Sequence, residues 1–130
     1  MPRKFTLTLI PEMLAVCRMP PDAPLPNWPD GNFISVTRTT EELSVVVPEA
    51  AAPDGVPHHR GFRALKITGP LDFGEIGVLA TLSNTLAVAG LSIFVISTYD
   101  TDYILVKQEN LSRAIAALRK AGHEVVESNG

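Results

Sequence analysis

The sequence has little cysteine and little positive charge, and both shortages narrow the class of protein. Cys17 is the only cysteine in 130 residues, so an internal disulfide is impossible and a reducing, cytoplasmic location is expected. The formal net charge is −3 and the basic residues are scattered, which argues against a nucleic-acid partner. The first twelve residues contain no apolar run long enough for a secretory signal.

Charge is also missing from residues 76–99, which contain no Asp, Glu, Lys, Arg or His. A stretch of this length can span a bilayer. However, polar side chains cluster at residues 81–85, Gly90 stands where a soluble helix would end, and β-branched and aromatic residues follow it. The pattern therefore predicts a helix and a strand inside a globular protein and no membrane partner.

Alternating or β-branched patterns predict four strands in the first half of the chain, at residues 4–10, 13–19, 33–39 and 43–48. For residues 13–19 a strand in hairpin with the first is preferred to a short helix. The proline-rich residues 20–32 exclude a regular helix, and Trp28 within them is interpreted as an aromatic lid rather than a ligand-stacking group.

Residues 49–61 are predicted to form a solvated loop. His58 and His59 are adjacent within it, so their side chains diverge and suit a single metal ion poorly. No metal site and no cofactor are therefore predicted.

The second half predicts strand, helix, strand, strand, helix and strand at residues 63–68, 74–89, 91–98, 102–107, 109–121 and 123–127. This order is the split βαβ, or ferredoxin-like, unit (βαββαβ), an α+β fold. Two helices then cover one face of a four-stranded antiparallel sheet, in which residues 91–98 are buried on both faces.

The first of these helices carries more apolar residues than one buried face requires. One stripe is predicted to pack on the sheet and consists of Ile76, Leu79, Ala80, Ser83, Leu86, Ala87 and Gly90. A second stripe, Val78, Leu82 and Ala89, lies beside it. We expect this second stripe to be buried against another domain or against another subunit, as in a homodimer.

A faint internal repeat relates the two halves of the chain. A shift of 60 residues aligns residues 3–8 with 63–68 and residues 34–49 with 94–109. The halves are therefore predicted to be residues 1–61 and 62–130, the first with its helices eroded by proline-rich segments.

Three segments carry a family resemblance: FISVTRTTEELSVVV, GPLDFGEIGVLATLSNTLAVAGLSIFVIST and ISTYDTDYILV. They resemble ACT domains, the regulatory amino-acid-binding modules of aspartate kinase and other biosynthetic enzymes. They are also similar to small free-standing bacterial proteins with two ACT-like halves, and to the ACT repeats of the cytosolic arginine sensors of the TOR pathway. The resemblance implies an ACT domain in the second half and a degenerate ACT-like half before it.

The resemblance also implies an amino-acid site. One side is the loop that enters the first helix and the other is the end of the following strand with its turn. In this sequence the site comprises Asp72, Phe73, Gly74, Glu75, Ile76 and Gly77 with Thr98, Tyr99, Asp100, Thr101 and Asp102. Glu75 and Asp102 match acidic positions that face the cationic ligand in the arginine sensors, but STYDTD departs from their pattern and leaves the ligand unnamed.

The residues themselves support the same type of site. A glycine-flanked helix N-terminus offers backbone N–H groups to a carboxylate, and nearby acidic side chains accept hydrogen bonds from an ammonium. The alternative is that Asp100 shapes the turn, Glu75 interacts with the helix dipole and all of these side chains are solvated.

Two functions follow: a non-catalytic amino-acid sensor that reports to an unidentified protein partner, or a homo-oligomeric assembly module with a vestigial site. No catalytic constellation is recognisable, and Cys17 lies in an apolar segment.

Overall fold

The computed structural model describes residues 4–25, 33–68 and 77–127, and eight β-strands and two α-helices lie among them. The strands are β1 Thr6–Leu9, β2 Leu14–Met19, β3 Ser35–Arg38, β4 Leu43–Pro48, β5 His58–Ile67, β6 Phe94–Ser97, β7 Asp102–Lys107 and β8 Glu124–Glu127. The helices are α1 Val78–Val88 and α2 Leu111–Lys120, and short 3₁₀ turns occupy Glu49–Ala51 and Gln108–Asn110. Within the described ranges no helix is both long and apolar enough to cross a membrane.

The chain forms two compact units. The first combines residues 1–11 with residues 63–130, and the second consists of residues 12–62. Strand β5 contributes its first residues to the second unit and its remaining residues to the first.

In the first unit the strands follow the order β8–β1–β5–β7–β6. The predicted sequence of elements from β5 to β8 is confirmed, and with it the α+β fold class. One strand was not expected in this sheet, because β1 lies between β5 and β8, antiparallel to the former and parallel to the latter. The predicted hairpin of the first two strands is therefore wrong, since β2 pairs with β4 and β5 instead.

Strand β1 joins this sheet because its alternating apolar side chains fit the core of the first unit. Phe5, Leu7 and Leu9 are buried there with residues of both helices. Leu7 lies opposite Ile67 on one side and opposite Val125 on the other. The period of two in the sequence thus predicts the buried face correctly, although it carries no information on the partner strands.

Helix α1 turns to the core a face that combines the two predicted stripes, because Leu86 and the partly buried Leu79 come from the first stripe and Val78 and Leu82 from the second. Its buried residues are Val78, Leu82 and Leu86, whereas Ala80 and Ala87 are exposed. Val78, Leu82 and Ala89, which were expected to meet another subunit, therefore belong to the core of this chain or pack against it. They are not available to form an interface with a second copy. The prediction that residues 91–98 are buried on both faces of the sheet is also wrong, because Val95 in strand β6 is 37% exposed.

The apolar spacing of helix α2 predicts that Leu111, Ala114, Ile115, Leu118 and Ala121 face inward, and the structure confirms most of this face. Leu111, Ala114 and Leu118 are buried, at spacings of three and four residues, although Ala121 is exposed rather than inward. Gly122 ends the helix with a φ of 97°, in the left-handed region that favours glycine.

The second unit is a four-stranded arrangement in the order β3–β4–β2–β5. Its core consists of Ala15, Cys17, Met19, Leu43, Val45 and Val47. The predicted loop at residues 49–61 is corrected at both ends, because a 3₁₀ turn occupies its start and β5 already begins at His58. Both histidines are exposed, as predicted, but they lie on a strand.

The two halves share a β-hairpin and the 3₁₀ turn that follows its second strand. Strand β3 starts at residue 35 and β6 at residue 94, while β4 starts at 43 and β7 at 102, so the offset is 59 throughout. The register agrees too, since Ser35 lies opposite Val46 and Phe94 opposite Leu105. The alignment at 60 residues is therefore wrong by one position in this region, which in a strand exchanges the two faces.

His123 supplies a pH-dependent contact at the start of β1. Its ring is buried and stacks on Phe5 at 5.7 Å, and its Nδ1 accepts a hydrogen bond of 3.0 Å from the Phe5 N–H. Burial lowers the pKa of His123 below its ordinary value of about 6.5, and the positive charge of Lys4 lowers it further.

Because the folded-state pKa lies below the unfolded one, we expect stability to fall as the pH drops from about 6.5 through the folded-state pKa. Urea unfolding between about pH 8 and about pH 5 measures this loss. His123→Asn is the matched variant, since its Oδ1 can accept the same hydrogen bond but does not titrate. An equally steep loss in this variant would rule out His123 as the cause.

Candidate functional site

The structure describes one of the two predicted sides of the site completely. Thr98, Tyr99, Asp100, Thr101 and Asp102 are all described. On the other side only Gly77 is described, and the predicted residues Asp72, Phe73, Gly74, Glu75 and Ile76 lie outside the described residues.

Gly77 is the residue that precedes the first turn of α1. Its φ of 83° and ψ of 2° place it in the left-handed region, where a side chain adds strain. Among the described residues no side chain caps this helix end, and the first turn contains no acidic residue. The first N–H groups of a helix have no partner within the helix, so they can donate to an anion.

The hairpin turn between β6 and β7 is closed by hydrogen bonds of its own residues. The Thr98 N–H donates to the Thr101 carbonyl at 2.8 Å, and the Thr98 hydroxyl donates to the same oxygen at 3.1 Å. The turn between β3 and β4 is closed in the same way, with Thr39 and Glu42 at the equivalent positions. Each turn is therefore a fixed structure rather than a loose loop.

Thr101 joins this turn to strand β5. Its side chain is buried, and its hydroxyl donates a hydrogen bond of 2.6 Å to the carbonyl of Ile67. Ile67 is the last residue of β5, and one residue later the chain continues through 69–76 to Gly77. The structure thus brings the turn to the end of β5 from which the predicted loop departs.

The side chains of the turn differ in what they can offer to a ligand. Thr98 and Thr101 use their hydroxyls within the protein. Tyr99 is 83% exposed, and Asp100 is also exposed. Asp102 is half-buried at the start of β7, opposite Ser97. The two carboxylates are therefore the acceptors that this turn can present to a positively charged group.

Sequence reasoning missed the partner of Thr101. The acceptor is a backbone carbonyl, which every residue carries, so no residue type at position 67 could have signalled the contact. The nearest signal was the end of a predicted strand at residue 68.

Comparisons with known proteins agree with this architecture. Residues 58–120 match the model of the ACT domain family. Residues 12–58 match a second family model, described as an N-terminal domain. Residues 58–120 therefore form an ACT domain, and the ACT fold expected from the sequence for the second half is confirmed.

Particular relatives extend the likeness to both halves. The protein Atu0741 from Agobacterium tumefaciens has a crystal structure with a TM-score of 0.91 and 31% sequence identity, over 99% of this chain and 97% of that one. The regulatory subunit of aspartate kinase from Thermus thermophilus has a TM-score of 0.64 at 11% identity, over 89% and 96%, which shows the shared fold alone.

Curated relatives match a shorter part of the chain. The cytosolic arginine sensor for mTORC1 subunit 1 is 35% identical over 60 residues, both in Homo sapiens and in Bos taurus. The match covers 45% of this chain and 18% of the relatives, so the chain spans less than a fifth of their length.

Proposed function

We propose that the protein is a non-catalytic regulatory protein that binds an amino acid through its ACT domain. The proposed site combines the loop of residues 72–77 with the turn of residues 98–102. The observation that carries the proposal is the hydrogen bond from Thr101 to the Ile67 carbonyl, because it fixes the acidic turn beside the exit to that loop.

The chemistry of an amino acid fits these groups. Its carboxylate would accept hydrogen bonds from the first N–H groups of α1, for which the described residues provide no side-chain cap. Its ammonium, or a cationic side chain, would face Asp102 and Asp100, with Glu75 from the loop. The comparisons add support, since one relative of the chain is a cytosolic arginine sensor.

A catalytic function has less support in the described residues. Cys17 is buried, and burial raises the pKa of its thiol despite the opposing positive charge of Arg60. A thiol with a raised pKa is a poor nucleophile. The described residues also contain no group of three His, Cys, Asp or Glu side chains arranged for a metal ion.

A thermal-shift screen against the twenty amino acids, followed by calorimetry, tests the proposal. A ligand present at about 100 times its dissociation constant adds about 2.7 kcal/mol to the free energy of unfolding. In a chain of this size such a gain raises the melting temperature by about 5–10 °C. A melt that no amino acid shifts would remove the main support for a sensor.

Asp102→Asn then tests the position of the site. It removes one charge, so we expect affinity for the amino acid identified to fall by about 10-fold or more, as for a charged hydrogen bond worth about 1.5–3 kcal/mol. Asp54→Asn is the matched control, because Asp54 is exposed on a loop of the other unit. Equal affinity of the two variants in calorimetry would show that the site is elsewhere.

A homo-oligomeric assembly module with a vestigial site is the second candidate. Strand β6 pairs with β7 alone among the described strands, and it carries no charged residue at its edge. Val95 on this strand is 37% exposed and Val88 at the end of α1 is 81% exposed. A homodimer would use these residues rather than the buried stripe of α1, and this candidate predicts no response to any amino acid.

We also infer that residues 1–61 and 62–130 are two ACT-like halves that descend from one unit. The shared hairpin, its identical register and the equivalent threonine turns support this inference. The same proposal includes a partner protein that responds to ligand occupancy. It also includes a cytoplasmic location.

A further inference from the structure

Strand β8 is held to the first unit by few contacts. It has four residues, lies at the edge of the sheet and pairs with β1 alone among the described strands. Val125 is its one buried side chain, and Val126 is 38% exposed. A short edge strand with so little buried surface can open locally while the rest of the protein stays folded.

The ring of His123 provides the first hydrogen bond between the start of β1 and the start of β8. Its Nδ1 accepts a hydrogen bond of 3.0 Å from the Phe5 N–H. The N–H of the next residue, Glu124, donates to the Phe5 carbonyl at 2.9 Å. A titratable side chain therefore takes the place that a backbone carbonyl usually occupies in a sheet, beside an ordinary backbone hydrogen bond.

Protonation of the ring removes this hydrogen bond. Because Nδ1 accepts from Phe5, the neutral ring carries its proton on Nε2. A second proton goes to Nδ1, which then directs an N–H group at the N–H of Phe5 and can no longer accept from it. The contact is buried, so its loss costs more than the loss of an exposed hydrogen bond that water can replace.

The charged groups on the elements around the ring are mostly positive. They are Lys4 before β1, Arg119 and Lys120 in the last turn of α2, and Glu124 in β8, all of them exposed. Burial lowers the pKa of His123, and the positive charge of Lys4 lowers it further. No carboxylate of the described residues holds the imidazolium as an ion pair, so protonation brings no contact that offsets the one lost at Phe5.

We propose that His123 is a pH-sensitive switch that holds β8 on β1 while its ring is neutral and releases β8 when the ring is protonated. The opened state keeps β1 paired with β5, which distinguishes it from global unfolding in urea. It leaves the outer edge of β1 without a partner strand, and such an edge can pair with a strand of another chain. The switch is independent of the site proposed at residues 72–77 and 98–102.

Amide hydrogen exchange of the full ¹⁵N-labelled chain, followed by NMR at about pH 7.5 and about pH 5.5, tests the proposal. The Phe5 and Glu124 amides report on the contact between β1 and β8, whereas the Ile10 amide donates to the Ala64 carbonyl and reports on the other side of β1. We expect the protection factors of Phe5 and Glu124 to fall by about 3- to 10-fold at the lower pH. The limit is about 10-fold, because one proton titrates near pH 6.5 in the opened state. Protection of Ile10 should change little.

Two variants assign the change to the ring. In His123→Asn the fall in protection should disappear, because the amide oxygen accepts from the Phe5 N–H but does not titrate. Lys4→Gln removes an exposed positive charge and so raises the pKa of His123, which should make the fall smaller. No fall at Phe5 and Glu124, an equal fall at Ile10, or an unchanged fall in His123→Asn would overturn the proposal. If His123→Asn did not fold, an undiminished fall in Lys4→Gln would do so.

Discussion

Replacing Leu82 with alanine should lower the free energy of unfolding by about 2–5 kcal/mol. Leu82 lies in the middle of α1, has no exposed surface, and belongs to the core that also contains Leu7 and Ile67. Alanine would leave a cavity between helix and sheet that the surrounding strands cannot fill by a small movement. Urea unfolding followed by circular dichroism gives the free energy directly.

Val88→Ala is the control for this variant, because it removes two methyl groups from the same helix at a position that is 81% exposed. Its effect should remain within about 0.5 kcal/mol. If both variants were equally stable, the face of α1 described above would be incorrect. If Leu82→Ala did not fold, Leu82→Val would give a milder form of the same comparison.

Replacing Thr101 with valine should cost about 1–3 kcal/mol. Valine has nearly the same shape, so the change removes the hydroxyl while it preserves the packing. The Ile67 carbonyl then loses its partner in a buried place, and an unsatisfied buried acceptor costs more than the hydrogen bond is worth in water. If the turn forms part of a binding site, affinity for the ligand should fall as well.

Thr8→Val provides the comparison. The Thr8 hydroxyl also forms a hydrogen bond, but at 3.4 Å to the hydroxyl of Thr68, in an exposed position. Water can replace that contact, and valine favours strands, so we expect little loss of stability. Equal losses in the two variants would mean that the Thr101 hydroxyl has no special role at the end of β5.

Elements with strong local patterns could be predicted from the sequence. The bounds of β4 and β7 agree with prediction, and α2 was found with its buried face. In α2 the exposed Arg113, Arg119 and Lys120 distinguish the solvent side from the core side. Helix α1 lies in a stretch without charge, so two stripes were equally apolar and the sequence could not decide between them.

Pairing between distant strands could not be predicted, because the period of two specifies faces and not neighbours. The place of β1 between β5 and β8 is the clearest case. The repeat was found from the sequence but shifted by one residue, since few identities fix the register. For the candidate site, the turn was located by resemblance, whereas the bond that anchors it to Ile67 depends on the fold.

The position of β1 also determines when the first unit can be completed during synthesis. Phe5 and His123, which meet where β1 and β8 begin, are 118 residues apart in the chain. Strand β1 can pair with β5 earlier, but its pairing with β8 must wait until residues 124–127 have left the ribosome, while residues 12–62 can already pair among themselves. Such long-range closure makes folding slow. A fragment that starts at residue 62 would contain β8 without its neighbour, so we expect it to expose an unpaired edge and aggregate.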